Sequence, residues 1–109
     1  MKREVITYNA VEGFHRYPNA PEYCTYLSDR HRHIFEVRCR FEVSNDDREI
    51  EINRMQQEIS RYFHSRYGTP CEFGGRSCEH IAGELLKAYP SMTSAEVLED
   101  GYGGASLTR

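Results

Sequence analysis

The run His31-Arg32-His33-Ile34-Phe35-Glu36-Val37-Arg38-Cys39-Arg40-Phe41-Glu42-Val43 alternates in character over thirteen residues. Its odd positions are His, His, Phe, Val, Cys, Phe and Val; its even positions are Arg, Ile, Glu, Arg, Arg and Glu. Successive residues of an extended strand point to opposite faces. One face of this strand is therefore apolar and ends in two histidines, while the other is mostly charged. His31 and His33 share the buried-side register at one strand end, where both imidazoles can address a single metal ion. A second strand-like run, from Glu4 to Phe14, is closed by His15. Antiparallel pairing of the two runs across residues 16–30 places His15 beside His31 and His33. Three neutral imidazoles leave the fourth position of a tetrahedral zinc ion free for water or substrate, as catalytic sites do. The plainer alternative is three ordinary polar residues at a strand mouth.

A chain of 109 residues makes one domain, 1–109, with a modest core. Charged residues at 28% and hydrophobic residues at 39% are ordinary for a globular chain. No apolar run reaches membrane-spanning length, and Met1-Lys2-Arg3-Glu4 opens no signal-peptide core, so the expectation is a cytoplasmic chain without a membrane partner. Cys24, Cys39, Cys71 and Cys78 lack Cys-x-x-Cys spacing, which favours reduced thiols over a disulfide framework. A net charge of −3 argues against general nucleic-acid binding. Twelve of the fourteen basic residues are arginines, and Arg30, Arg32, Arg38 and Arg40 cluster along one strand. Arginine's planar fork suits phosphate and carboxylate. The interleaved Glu36 and Glu42 favour cross-strand ion pairs for Arg38 and Arg40.

The segment from Arg16 to Arg30 carries two prolines and no periodicity, so it reads as a long loop. Its Tyr17, Tyr23 and Tyr26 can stack on a planar ligand or pack the loop onto the sheet. Ser44-Asn45-Asp46-Asp47 is a polar break. From about Glu49 the period becomes helical, with Ile52, Met55, Ile59, Tyr62 and Phe63 on one stripe; this helix should run to Tyr67 and stop at Gly68. His64 lies near its C-terminal end, where the helix dipole favours a protonated imidazole, although a solvated helix histidine is the simpler role. Thr69 to Gly75 reads as a connection. Ser77 is a natural N-cap for a second helix carrying Ile81, Ala82, Leu85 and Leu86 and ending at Pro90. Ser94 to Asp100 reads as a strand, residues 101–104 as a turn, and Ala105 to Thr108 as a final strand. The order β-β-α-α-β-β predicts an α+β domain, a four-stranded antiparallel sheet with two helices on one face. Such a half-covered sheet with open edges predicts a homo-oligomer joined through its sheets.

Five short pieces in order carry a family resemblance: Val11-Glu12-Gly13-Phe14-His15, His31 to Val37, Glu51-Ile52-Asn53-Arg54-Met55, Arg76 to Ala82, and Val97-Leu98-Glu99-Asp100. Together they resemble the 6-pyruvoyl-tetrahydropterin synthase and 6-carboxytetrahydropterin synthase family, which has the tunnelling fold, over nearly the whole chain. The resemblance implies zinc held by His15, His31 and His33. It implies Glu99 as the carboxylate that anchors a pterin ring, Ser77 in the substrate site at the entry of the second helix, and a hexamer or another sheet-joined ring. A carboxylate buried at a strand end can accept two parallel hydrogen bonds from the amino and ring N–H groups of a pterin or guanine, which makes the pairing specific.

The chain departs from the family at three places. The family's catalytic cysteine precedes its His-x-His by four residues, where Leu27 stands here, and Cys24 is the nearby thiol. Its Asp-His pair after the first helix is missing, which leaves His64 or His80. Its glycine between the two histidines is Arg32. As an enzyme, the chain would be a zinc-dependent lyase or synthase acting on dihydroneopterin triphosphate, with Cys24 or His64 moving protons. As a binding protein, it would hold a pterin, guanine nucleotide or related purine without turnover, with Arg16 and Arg30 meeting phosphates. A structural oligomer using neither site is the third class.

Overall fold

The alternating run is strand β2 (His31–Val43), and it lies antiparallel to β1 (Arg3–His15) in a computed structural model that describes residues 1–109. The pairing runs without a shift from Arg3↔Val43 to His15↔His31. Inward-facing Val11, Phe35, Val37, Cys39 and Phe41 are all buried, as the period of two requires. The outward face carries the charges: Arg38 lies 3.5 Å from Glu96 and Arg40 lies 3.7 Å from Glu4. These pairs are half-exposed and add little stability, but they keep one face of the sheet polar.

Strand β4 (Met92–Glu99) adds antiparallel to β2, and β5 (Gly103–Thr108) adds antiparallel to β4. A fifth strand, β3 (Cys71–Gly74), lies parallel to β1 on its other edge, giving the order β3-β1-β2-β4-β5. The expected four-stranded, wholly antiparallel sheet is thus corrected to a five-stranded mixed one within the α+β class. Pro70 and Gly74-Gly75 make residues 69–75 read as a connection, yet Cys71 and Phe73 alternate inward at full burial while Glu72 faces out to Arg30. Helix α1 (Ile52–Tyr67), about 24 Å long, carries the chain from the Val43 end of the sheet toward its His15 end, so β3 runs in the sense of β1.

Helix α1 starts at Ile52 rather than near Glu49, because the Glu51 carboxylate caps it by accepting from the backbone N–H groups of Asn53 and Arg54. Its buried stripe is Ile59, Phe63 and Tyr67, whereas Ile52 is 47% exposed. Gly68, at φ 93°, ends it. Helix α2 (Cys78–Ala88) is capped by Ser77, whose hydroxyl accepts from the His80 N–H, and it buries Ile81, Ala82, Leu85 and Leu86. Both helices pack on the apolar side of the sheet around one core that includes Phe35, Phe41, Phe63 and Phe73. Gly13 admits the Phe73 ring over β1, since a Cβ there would stand 2.6 Å from it. All four cysteines are buried and unpaired. No helix is long and apolar enough to cross a membrane.

Glu84 on α2 ties the two helices together. It accepts from the Tyr67 hydroxyl at 2.5 Å, from Arg76 at 2.7 Å and from Arg66 at 3.0 Å. Burial pushes its carboxyl up, but Tyr67, Arg76 and Arg66 outweigh that and hold it below its ordinary value of 4.5. A carboxylate depressed on folding contributes stability above its unfolded value, and that stability is lost as the pH falls through the folded one. Glu84→Gln should therefore lower the free energy of urea unfolding by about 1–2 kcal/mol at neutral pH. The gap to wild type should narrow steadily as the same titration is repeated from pH 5 down to about pH 3.

Candidate metal centre

The register of β1 against β2 brings three histidines to one end of the sheet. His15 is the last residue of β1 and pairs directly with His31, while His33 pairs with Gly13 one step inward. All three lie in the odd, helix-facing register. Their ring centroids stand 4.7 Å (His15–His31), 5.2 Å (His15–His33) and 5.0 Å (His31–His33) apart. Phe35 lies beneath, 5.1 Å from the His15 ring and 5.6 Å from that of His33.

Each imidazole is held by its Nδ1. His15 donates to the Arg76 carbonyl at 2.9 Å, His31 to the Asp29 carbonyl at 2.8 Å, and His33 to the Asp100 carboxylate at 2.6 Å. Carbonyl and carboxylate oxygens only accept, so each Nδ1 carries the proton of its contact and Nε2 is the nitrogen left to face a metal, which would displace any proton it holds. One ligating atom from each ring lies within 4.8 Å of the others, and the group can hold a metal ion. The His33 Nε2 is buried without a hydrogen-bond partner, an orphan that a cation would satisfy. This donor set, with outer partners fixing every tautomer, fits a borderline divalent metal.

Glu99 and Asp100, at the end of β4, serve the centre from its other side. The Asp100 Oδ1 accepts from the Ile34 N–H at 2.8 Å while Oδ2 holds His33. The Ile34 N–H and His33 together keep this carboxyl below its ordinary range. Asp100 takes a left-handed backbone, φ 54°, to make both contacts. The Glu99 Oε2 lies 3.2 Å from the His15 Nε2, and its Oε1 lies 3.5 Å from the His33 Nε2. The hydrogen bond from His15 is the main reason that the Glu99 carboxyl is lowered. Burial works against a charged His15, but Glu99 and the Arg76 carbonyl raise it above the ordinary imidazole value. The Cys78 thiol donates to the Glu99 Oε2 at 3.6 Å, and burial, then Glu99, pushes it up to about 12.

A cavity of about 650 Å³ opens in front of the centre, lined by His15, His31 and Glu99 on one side. Arg16, Tyr17 and Leu27 line it from the loop, Arg76 to His80 from the start of α2, and Gly103 and Gly104 from β5. The expected metal ligands His15, His31 and His33 therefore come together, and Glu99 and Ser77 face the same space. The Ser77 hydroxyl is engaged as the cap of α2, while its N–H donates to the His80 Nδ1 at 3.1 Å, which leaves the His80 proton on Nε2. Two other expected residues do not line the cavity. Cys24 is buried within the short 3-10 segment Glu22–Ser28, and His64 is held through its Nδ1 by Thr69 and the Gly68 carbonyl at the end of α1. Arg16 lines the cavity, but Arg30 stacks on Phe14 and pairs with Glu72. Tyr23 and Tyr26 are exposed on the surface. Asp100 and Cys78 escape sequence reasoning; the available signal is an acidic pair ending an alternating strand, Glu99-Asp100.

Comparison with protein-family models finds no match, and neither does comparison with curated protein sequences. The geometry of the centre thus carries the chemistry on its own. Asp100→Asn retains a residue that tolerates the left-handed turn but removes the charge behind His33. It should weaken cobalt(II) binding about 10- to 100-fold, read from the metal's visible absorption during titration, with the far-ultraviolet circular dichroism unchanged.

Proposed function

We propose that the protein is a zinc-dependent lyase or synthase of the tunnelling-fold pterin synthase type, acting on dihydroneopterin triphosphate or a related pterin. The observation that carries this reading is the meeting of a three-histidine centre and a half-buried carboxylate, Glu99, at the wall of one ligand-sized cavity. The sheet is five-stranded and mixed rather than four-stranded and antiparallel, so the reading rests on the site and on the resemblance of the five short pieces. Zinc bound there would supply Lewis-acid polarisation of a side-chain hydroxyl or carbonyl.

The chain's own residues account for the remainder. Glu99 accepts paired N–H groups of the ring, which rejects rings lacking them because the carboxylate would be left unpaired. Arg16 at the rim meets phosphate. His80, protonated on Nε2 and lining the cavity, is the imidazole placed to exchange a proton with a bound ligand. The second reading, a non-catalytic binder of a pterin, guanine nucleotide or other purine, is favoured by one observation: neither Cys24 nor His64 lines the cavity. Four buried thiols suit a cytoplasmic location. The sheet face bearing Ile6 and Tyr8, each 46% exposed, suits a homo-oligomer, a hexamer or another ring joined through its sheets.

The test is to incubate zinc-loaded protein with dihydroneopterin triphosphate and follow product and binding in the same samples. Product that disappears in His31→Ala establishes a synthase; binding without product establishes the binder; the absence of both binding and product overturns the pterin reading. Gly103 lines the cavity with nothing of the protein within 4 Å of a Cβ there, so Gly103→Leu should fill the ligand space without disturbing the strand. It should weaken pterin binding by about tenfold or more while leaving zinc affinity within about twofold of wild type.

A further inference from the structure

We infer that the carboxylate of Glu99 is the fourth ligand of the metal in the ligand-free protein, closing a centre that sequence reading leaves open. The inference rests on the metal-centre reading above and goes beyond it. Four donors around a tetrahedral ion with metal–donor distances of 2.0–2.1 Å stand roughly 3.3 Å from one another. The Glu99 Oε2 lies 3.2 Å from the His15 Nε2 and its Oε1 lies 3.5 Å from the His33 Nε2, so the carboxylate sets one oxygen at about this spacing against each of two histidines. These Nε2 atoms are the ones left as ligands once the Arg76 carbonyl and the Asp100 carboxylate take the two Nδ1 protons.

The surroundings of Glu99 are those of a ligating carboxylate. It is the last residue of β4, on the same face as the buried Val97, and is held between two strands by pairing with Phe35 of β2 and Gly103 of β5. The Cys78 thiol hydrogen-bonds its Oε2, an outer partner of the kind that orients metal-bound carboxylates. Nothing else lining the cavity places an anionic oxygen against two of the histidines.

One carboxylate cannot ligate the metal and grip a pterin ring at the same time. The two roles of Glu99 would therefore exclude each other: a carboxylate engaged by the metal would be withheld from the ring N–H groups.

The experiment is cobalt(II) titration of the whole chain and of Glu99→Gln and Glu99→Ala, in the absence of any pterin. Glu99→Gln keeps the size of the side chain, and near-ultraviolet circular dichroism checks that each variant is folded. The inference expects cobalt(II) affinity to fall at least about tenfold in both variants. It also expects the absorption of wild-type protein to be that of a four-coordinate ion, altered in Glu99→Ala and restored by added formate. Unchanged affinity and an unchanged spectrum in the variants would overturn it while leaving the three-histidine centre standing. Failure of the wild type to bind cobalt(II) would bring down the centre and the inference together.

Discussion

Everything at the working end of the molecule depends on the register of β1 against β2. Because side chains alternate with a period of two, a slip of one residue would turn His15 to the polar face while His31 and His33 stayed inward. The same slip would expose Val11 and bring Glu12 into the core. Hydrophobic burial and the assembly of the centre therefore select the same pairing, and the core enforces the geometry of the histidines without any contribution from a metal. Phe35 shows the coupling most directly: it is fully buried, packs against Phe73 with ring centroids 4.8 Å apart, and supports two of the three imidazoles.

Around the histidines, the supporting contacts reach back into the scaffold. The backbone carbonyl of Arg76 holds His15, while its guanidinium holds Glu84, which also receives Tyr67 and Arg66 from α1. A chain of hydrogen bonds thus links the orientation of one imidazole to the packing of α1 on α2. Glu99 and Asp100 are neighbours in sequence but face opposite sides of the His33 ring, one near Nε2 and the other bound to Nδ1. Two adjacent carboxylates held this way address both nitrogens of a single histidine.

Much of this was legible in the residues, and the exceptions have physical causes. The thirteen-residue alternation announces β2, and the helical stripe of Ile59 and Phe63 announces α1, because each repeats a period long enough to exceed local noise. His15 falls beside His31 because the two strands pair without a bulge. Strand β3 has only four residues, and its Cys71-Glu72-Phe73 alternation is too short to outweigh Pro70 and the paired glycines around it. The carbonyls of Asp29 and Arg76 are backbone groups, present at every residue, and no side-chain pattern marks which of them will meet a histidine. Cys78 meets Glu99 only because α2 begins at the end of the sheet where β4 finishes, a contact across 21 positions of sequence.

The backbone at Asp100 has a consequence of another kind. A residue with a side chain sits there at φ 54°, a conformation in which glycine would be more stable by roughly 1 kcal/mol. Selection for a sturdier turn would favour glycine, but glycine would strip His33 of its acceptor. The strand end is therefore a place where thermodynamic optimisation and chemical fitness pull in opposite directions. An aspartate kept against its backbone preference marks how much of this small domain is given over to holding one ring in place.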